Sequence, residues 1–348
     1  MVLNKEELIA PSERQVAMVF DLNKCIGCQT CSVACKVLWT REEGMEYQWW
    51  CSVNTLPGQG YPKGWEEMGG GFRDGVPVQG RIPHREEWGG GWDFNYDEVF
   101  YGGKGRDAHL QPIGEAPKWG PNWDEDQGAG EWPNAYFFYM PRICNHCTNP
   151  ICAEACPRAA IYKRRDDGIV LIDETRCRGY AFCVEACPYK KVFRNYTQKI
   201  AQKCIFCYPR VEKGVAPACA RQCPGRLVFV GFLDDKDGLI HKLVNEWEVA
   251  LPLHPEYGTS PNVFYVPPLS PARLNEDFSI DEATPRIPTE YLEKLFGPRV
   301  HNALATLTGE MAKTRGGQKS ELMDTLIVYH WRELLGPFDK DPAEIVWR

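Results

Sequence analysis

The stretch Cys177-Arg178-Gly179-Tyr180-Ala181-Phe182-Cys183-Val184-Glu185-Ala186-Cys187-Pro188 spaces three cysteines and one tyrosine by two, two and three residues and ends on a proline. Three other stretches of the 348-residue chain repeat the scheme with a cysteine at every position. They are Cys25-x2-Cys28-x2-Cys31-x3-Cys35, Cys144-x2-Cys147-x4-Cys152-x3-Cys156 and Cys204-x2-Cys207-x11-Cys219-x3-Cys223. Proline also follows Cys156 and Cys223. Three closely spaced thiolates can cap three corners of an iron–sulfur cube, while a fourth, set apart, reaches the neighbouring cube. Four such blocks offer four sites, and Tyr180 leaves one of them a thiolate short. The spacing describes a wire of four clusters.

Two other uses of cysteine fit less well. Disulfides would need plausible partners, and Cys-x2-Cys-x2-Cys crowds its thiols too closely for a set of bridges. Zinc sites use paired Cys-x2-Cys but have no need of the middle cysteine or the x3-Cys-Pro ending. Cys51 stands outside every block and reads as a small buried hydrophobe rather than a ligand. His146 lies inside the second block and reads as a spacer.

The second and third blocks are separated by twenty residues in which Ala160–Lys163 and Ile169–Ile172 flank Asp167-Gly168, the pattern of a hairpin. Block, hairpin, block is the plan of a two-cluster ferredoxin, so these two blocks pair, and the first and fourth pair around them. Exchange of the fourth cysteine then gives four ligand sets. Site one takes Cys25, Cys28, Cys31 and Cys223; site two takes Cys35, Cys204, Cys207 and Cys219. Site three takes Cys144, Cys147, Cys152 and Cys187; site four takes Cys156, Cys177 and Cys183, with Tyr180 at the vacant position. The expected fold is α+β: two bacterial-type two-cluster ferredoxin modules, one nested inside the other. Residues 15–40 with 200–235 form the first module and 136–199 the second. Gln15–Asp21 and Leu227–Phe232 read as short strands of the first.

The remainder is less regular. Residues 41–135 form a long insertion rich in glycine and tryptophan, read either as a wrapping surface for a larger partner or as a subdomain with its own aromatic core. In residues 236–348, Pro252–Pro288 reads as an extended arm lying on another surface. Gly316-Gly317 then separates two helices, the second starting near Ser320, whose stripe of Leu322, Met323, Leu326, Ile327, Trp331 and Leu334 packs on the ferredoxin body. No apolar run is long enough to cross a bilayer. The N-terminus mixes Lys5, Glu6, Glu7, Glu13 and Arg14 and is not a signal peptide, so export would need another carrier. A net charge of −7 gives no reason to expect nucleic acid. Lys24, Arg158, Arg176, Arg178, Lys190, Lys191, Lys203, Arg210, Arg221 and Arg226 all sit near block cysteines, where cations offset cluster charge. No nucleophile elbow, paired histidine motif or nucleotide fingerprint appears. A wire without a catalytic terminus implies partners at both ends.

At these blocks the chain resembles the iron–sulfur beta subunits of the dimethyl sulfoxide reductase family of molybdenum enzymes. The run Cys177 to Lys191 is similar to the nitrate reductase branch, in which a bulky residue replaces one cysteine. The resemblance implies three 4Fe–4S clusters and, at site four, one 3Fe–4S cluster. Phenols keep their protons at neutral pH, so Tyr180 is expected to fill the corner and exclude solvent rather than bind iron. In size the chain is similar to the beta subunits of ethylbenzene dehydrogenase, dimethylsulfide dehydrogenase, selenate reductase and chlorate reductase. The ethylbenzene dehydrogenase type is the expected match; a nitrate reductase or nitrite oxidoreductase beta subunit and a free-standing polyferredoxin are the alternatives. The resemblance further implies a non-catalytic subunit between a catalytic alpha subunit, bearing a molybdenum bis-guanine-dinucleotide cofactor, and a haem b gamma subunit. The complex would be exported to the periplasm through the alpha subunit's signal, with the cytoplasmic face of the membrane as the alternative.

Overall fold

The structure, a computed structural model, describes residues 5–46, 48–57 and 128–346, with four three-residue strands (Gly71–Arg73, Val76–Val78, Trp92–Phe94, Leu110–Pro112) between them. Most of the 41–135 insertion therefore lies outside the described residues. Its two ends do not. Ser52–Leu56 is a strand, paired antiparallel with Phe138–Arg142 from Ser52↔Arg142 to Leu56↔Phe138. The expectation of an irregular segment from residue 41 onward is corrected there: five residues were too few to show a period, but pairing with a longer-range partner fixes them as a strand.

A four-stranded sheet organises the rest, in the order Val228–Phe232, Val16–Asp21, Val263–Val266, Leu251–Pro252. Val16–Asp21 is antiparallel to the first of these and parallel to Val263–Val266. All six of its residues are buried, because the apolar run Val-Ala-Met-Val-Phe is covered on both faces. Successive side chains point to opposite faces. Val16, Met18 and Phe20 face the same core as the block cysteines, joined by Val228, Val230 and Tyr265. Ala17 and Val19 face the other way, onto Phe229, Ile240, Leu243, Leu307, Leu322, Leu326 and Leu334. The sheet thus separates a cysteine side from a helical side, and each large side chain buried there contributes about 1.5–3 kcal/mol.

The central place of Val263–Val266 corrects the reading of Pro252–Pro288 as one extended arm. Val-Phe-Tyr-Val is a β-branched and aromatic run that pairs as a buried strand, and the prolines at 261, 267 and 268 only limit its length. The arm reading suits residues 272–285, an exposed antiparallel hairpin. The hairpin Ile161–Lys163 with Val170–Ile172 forms as the sequence suggests. A second, Val192–Asn195 with Ile200–Lys203, links the third and fourth blocks.

Val300–Arg315 and Glu321–Ile327 are helices, and Ser320 caps the second by accepting from the Met323 amide. That helix stops at Val328, which is left-handed, so the apolar stripe is broken rather than continuous. Leu322 and Leu326 are buried while Ile327 is exposed. Leu334, Leu335 and Phe338 follow in a 3-10 segment packed on Val228–Phe232. Among the described residues no helix is long and apolar enough to cross a membrane.

Candidate metal centres

The first block is a loop feeding the helix Thr30–Trp39, which carries Cys31 and Cys35 one turn apart on its buried side. This helix packs on the short helix Ala218–Arg221, which carries Cys219. The contact brings the two ends of the chain's cysteine pattern together. Cys25 is pushed up to about 11, by burial and then by the nearness of Cys31, Cys223 and Cys28. Cys35 is raised by burial and by Cys204 and Cys207; Cys219 is raised by burial and by Cys207, Cys35 and Cys204.

The third set is Cys144, Cys147, Cys152 and Cys187, and all four thiols line a single cavity with His146, Tyr189 and Thr259. Burial and then Cys187 raise Cys152. In the fourth, Cys183 is pushed up to about 12 by burial, with Cys156 and Cys177 as its nearest raising neighbours. The structure therefore brings together the members of each of the four sets. Neighbouring sets lie within electrostatic reach of one another: Cys31 raises Cys219, Cys144 raises Cys204, and Cys187 raises Cys183. The order is one to two, two to three, three to four.

Thiols gathered from distant segments into groups, most of them buried, fit a multi-iron cluster that binds them all deprotonated. Among the described residues no three His, Cys, Asp or Glu side chains converge closely enough to hold a single metal ion. The thiolates of a cube stand at separate corners and do not need to. Buried cations supply a second test of fit. Lys190, Lys191 and Lys203 are each buried, which is costly for an ammonium unless negative charge lies nearby. Burial lowers Lys190 to about 7, and Cys187 opposes that shift. Lys203 donates from Nζ to the carbonyls of Val170 and Cys204 and lies beside Cys152; Lys191 lies beside Cys35. Lys24 and Arg210 similarly approach Cys223 and Cys207. Arg158 and Arg178 are instead exposed, and Arg176 pairs with Asp173 at 3.1 Å.

Local backbone explains how the third block is shaped. Gly179 has φ 64, and a Cβ there would collide with the Lys199 carbonyl. Its absence lets the loop lie on the hairpin turn, where the Ala201 amide donates to Cys177 Sγ at 3.2 Å. Tyr180 does not fill an enclosed corner, as the sequence reading expected. Its ring is 52% exposed, beside Phe182, which is 51% exposed. Left-handed Ala181 is the buried residue of the pair that follows Gly179, and it leaves the tyrosine on the solvent side.

Two residues near the thiols carry no spacing signal in the sequence. Cys51 is buried, its thiol hydrogen-bonds to Cys31, and its amide hydrogen-bonds to Cys35; the first bond is the main cause that draws Cys31 down to about 7. Trp39 donates from Nε1 to Cys207 Sγ at 3.0 Å. His146 is buried, and its Nδ1 accepts from the Val170 amide at 3.1 Å.

Residues 135–233 match the 4Fe-4S dicluster domain family. The selenate reductase subunit beta of Thauera selenatis is 57% identical over 329 residues, 93% of this chain and 99% of that one. The respiratory nitrate reductase subunit beta of Haloferax mediterranei is 59% identical over 324 residues, covering 90% and 91%. The chain belongs to the iron–sulfur beta subunits of the dimethyl sulfoxide reductase family of molybdenum enzymes. A third relative, the dimethylsulfide dehydrogenase subunit beta of Rhodovulum sulfidophilum, is 55% identical over 323 residues, covering 92% and 98%. As a member of this family the beta subunit holds 4Fe–4S clusters, transfers electrons, and leaves catalysis to a molybdenum subunit.

Proposed function

We propose that this beta subunit carries three 4Fe–4S clusters and one 3Fe–4S cluster, held by the four sets in order. Cys25, Cys28, Cys31 and Cys223 hold the first, and Cys35, Cys204, Cys207 and Cys219 the second. Cys144, Cys147, Cys152 and Cys187 hold the third, and Cys156, Cys177 and Cys183 the fourth. Residues 15–40 with 200–235 then form one ferredoxin module around a second at 136–199. The clusters, when bound, supply one-electron redox at iron. The chain's own residues hold the thiolates, exclude water and offset negative charge with Lys190, Lys191 and Lys203. Cys51 is a neighbour and not a ligand, so Cys51→Ala is expected to leave iron content unchanged; loss of one cluster's iron would make it a ligand.

The observation that carries the reading is the succession of thiol sets, each within electrostatic reach of the next, with exposed residues at the two end sets. At the first set Cys28 is exposed, as are Ile26 in the same loop and Val33, Val37 and Leu38 on the helix that follows. At the fourth, Tyr180 and Phe182 are exposed. Exposed apolar side chains beside a redox group suit a partner that excludes water from the transfer path. In this reading the first set faces a catalytic subunit bearing molybdenum bis-guanine-dinucleotide and the fourth faces a haem b subunit, as in a complex of the ethylbenzene dehydrogenase type. The complex works in the periplasm, carried there with the catalytic subunit. A nitrate reductase complex is the second reading, favoured by the 59% identity to the Haloferax mediterranei nitrate reductase subunit beta.

Gentle isolation from the native cell tests this. The subunit is expected in a species well above its own 39.7 kDa that contains molybdenum and haem and leaves with the periplasmic fraction. A lone monomer would return the chain to a free electron carrier. Molybdenum without haem, on the cytoplasmic face of the membrane, would overturn both the haem partner and the location.

A further inference from the structure

Trp39 is the last residue of the helix that carries Cys31 and Cys35, and its indole N–H points across to Cys207, 168 residues later in the chain, at 3.0 Å. Indole Nε1 only donates, so the direction of this bond is fixed. The other donors to thiols around the second set include the Phe206 amide, to Cys204 Sγ at 3.4 Å, and the Cys51 amide, to Cys35. Cys207 itself also accepts from the Ala218 amide. All three are main-chain donors, which substitutions other than to proline leave in place. Trp39 reaches the same set with a side chain, and with a shorter bond than the Phe206 amide makes.

We propose that Trp39 is a positioning residue that sets the reduction potential of the second cluster, through its N–H···S bond to Cys207. The inference rests on the reading of Cys207 as a ligand. Taking up one electron from a neighbouring cluster, which is oxidised in the same step, adds negative charge that spreads onto the ligand sulfurs; no covalent bond forms or breaks. A donor aimed at one of those sulfurs gains strength as that charge grows, so it stabilises the reduced state more than the oxidised one. Hydrogen bonds to cluster sulfurs are among the determinants of potential. The indole therefore holds the second cluster at a higher potential than main-chain donors alone would give. It also ties the first block's helix to the fourth block.

The test is a redox titration of the intact complex, followed by electron paramagnetic resonance, in wild type, Trp39→Phe and Cys207→Ala. The cluster missing from Cys207→Ala identifies the second site. In Trp39→Phe that cluster is expected to titrate at lower potential, its reduced-to-oxidised ratio at a fixed potential falling several-fold, with the other three unmoved and total iron unchanged. Four unmoved midpoints would overturn the proposal and leave the ligand assignment standing. Full iron in Cys207→Ala would instead overturn the assignment and the proposal with it. A second measurement covers failure of the phenylalanine variant to assemble: in wild type, pulsed electron–nuclear spectroscopy of the reduced second cluster is expected to show a coupled proton that exchanges in heavy water and, after nitrogen-15 labelling of tryptophan, a separate hyperfine splitting from the indole nitrogen. Absence of that splitting would also overturn the proposal.

Discussion

Replacing Tyr180 with cysteine is expected to add one iron per chain and to remove the 3Fe-type electron paramagnetic resonance signal of the oxidised protein. The fourth set gathers Cys156, Cys177 and Cys183 and leaves one corner without a thiol. An iron that lacks a protein ligand is the one most readily lost, and the three-iron cluster that remains is paramagnetic when oxidised, whereas an oxidised cube is not. The first block shows where a restored thiol would stand. Cys28 holds the position in Cys25-x2-Cys28-x2-Cys31 that Tyr180 holds in Cys177-x2-Tyr180-x2-Cys183, and both residues are exposed. Gly27 before Cys28 and Gly179 before Tyr180 have φ 67 and φ 64, so the two loops turn alike. The substitution thus asks for a side-chain change on a backbone already shaped to hold a cysteine. An oxidised wild-type protein with no such signal would show the fourth site to be a complete cube and defeat the reading of Tyr180.

Removing the iron is expected to unfold the cysteine side of the sheet. Cys31, Cys35, Cys144, Cys152, Cys156, Cys183, Cys187, Cys204 and Cys219 are members of the same buried core as Val16, Met18 and Phe20. Without clusters the buried thiols lose the iron that binds them, and three buried lysines lose the negative charge that offsets them. Structural zinc in small domains contributes about 10–16 kcal/mol of apparent folding free energy, as large as the whole net stability of about 5–15 kcal/mol typical of a domain. Clusters that hold four segments at once act in the same range or above it. Chelation under reducing conditions should collapse the far-ultraviolet circular dichroism and expose all sixteen cysteines to a thiol reagent. An apoprotein that kept its spectrum and protected its thiols would show the sheet to be self-sufficient.

The centres were more legible in the sequence than the fold around them. Ligand spacing is local, so the four blocks and the hairpin at Asp167-Gly168 could be read from neighbouring residues, whereas the assignment of a fourth cysteine to each block rested on the exchange pattern of two-cluster ferredoxins. What was hidden depends on distant partners. Ser52–Leu56 is a strand because Phe138–Arg142 lies beside it, and Val263–Val266 is a strand because Val16–Asp21 does; the prolines around the latter masked a good strand sequence. The hydrogen bond of Trp39 to Cys207 arises from packing between the first block and the fourth, and those of Cys51 from packing of its own segment on the first block; no spacing encodes either. Tyr180 stands at a block position that cysteine holds elsewhere, but its exposure follows from the turn at Gly179 and Ala181, and periodicity does not report such turns.

Val16–Asp21 lies between two strands that the ribosome makes about 200 residues after it. Cys223, gathered with Cys25, Cys28 and Cys31, is made just as late. At translation rates of about 5–20 residues per second, the first three thiols wait on the order of 10–40 seconds for their fourth. Throughout that interval they are reduced, unmetallated and attached to a strand with no sheet to join. The inner pair of blocks, Cys144 to Cys187, is complete within a few seconds of its own synthesis at the same rates. The two inner sets therefore have all their thiols before the two outer ones, and the N-terminal strand with its block waits longest for its partners.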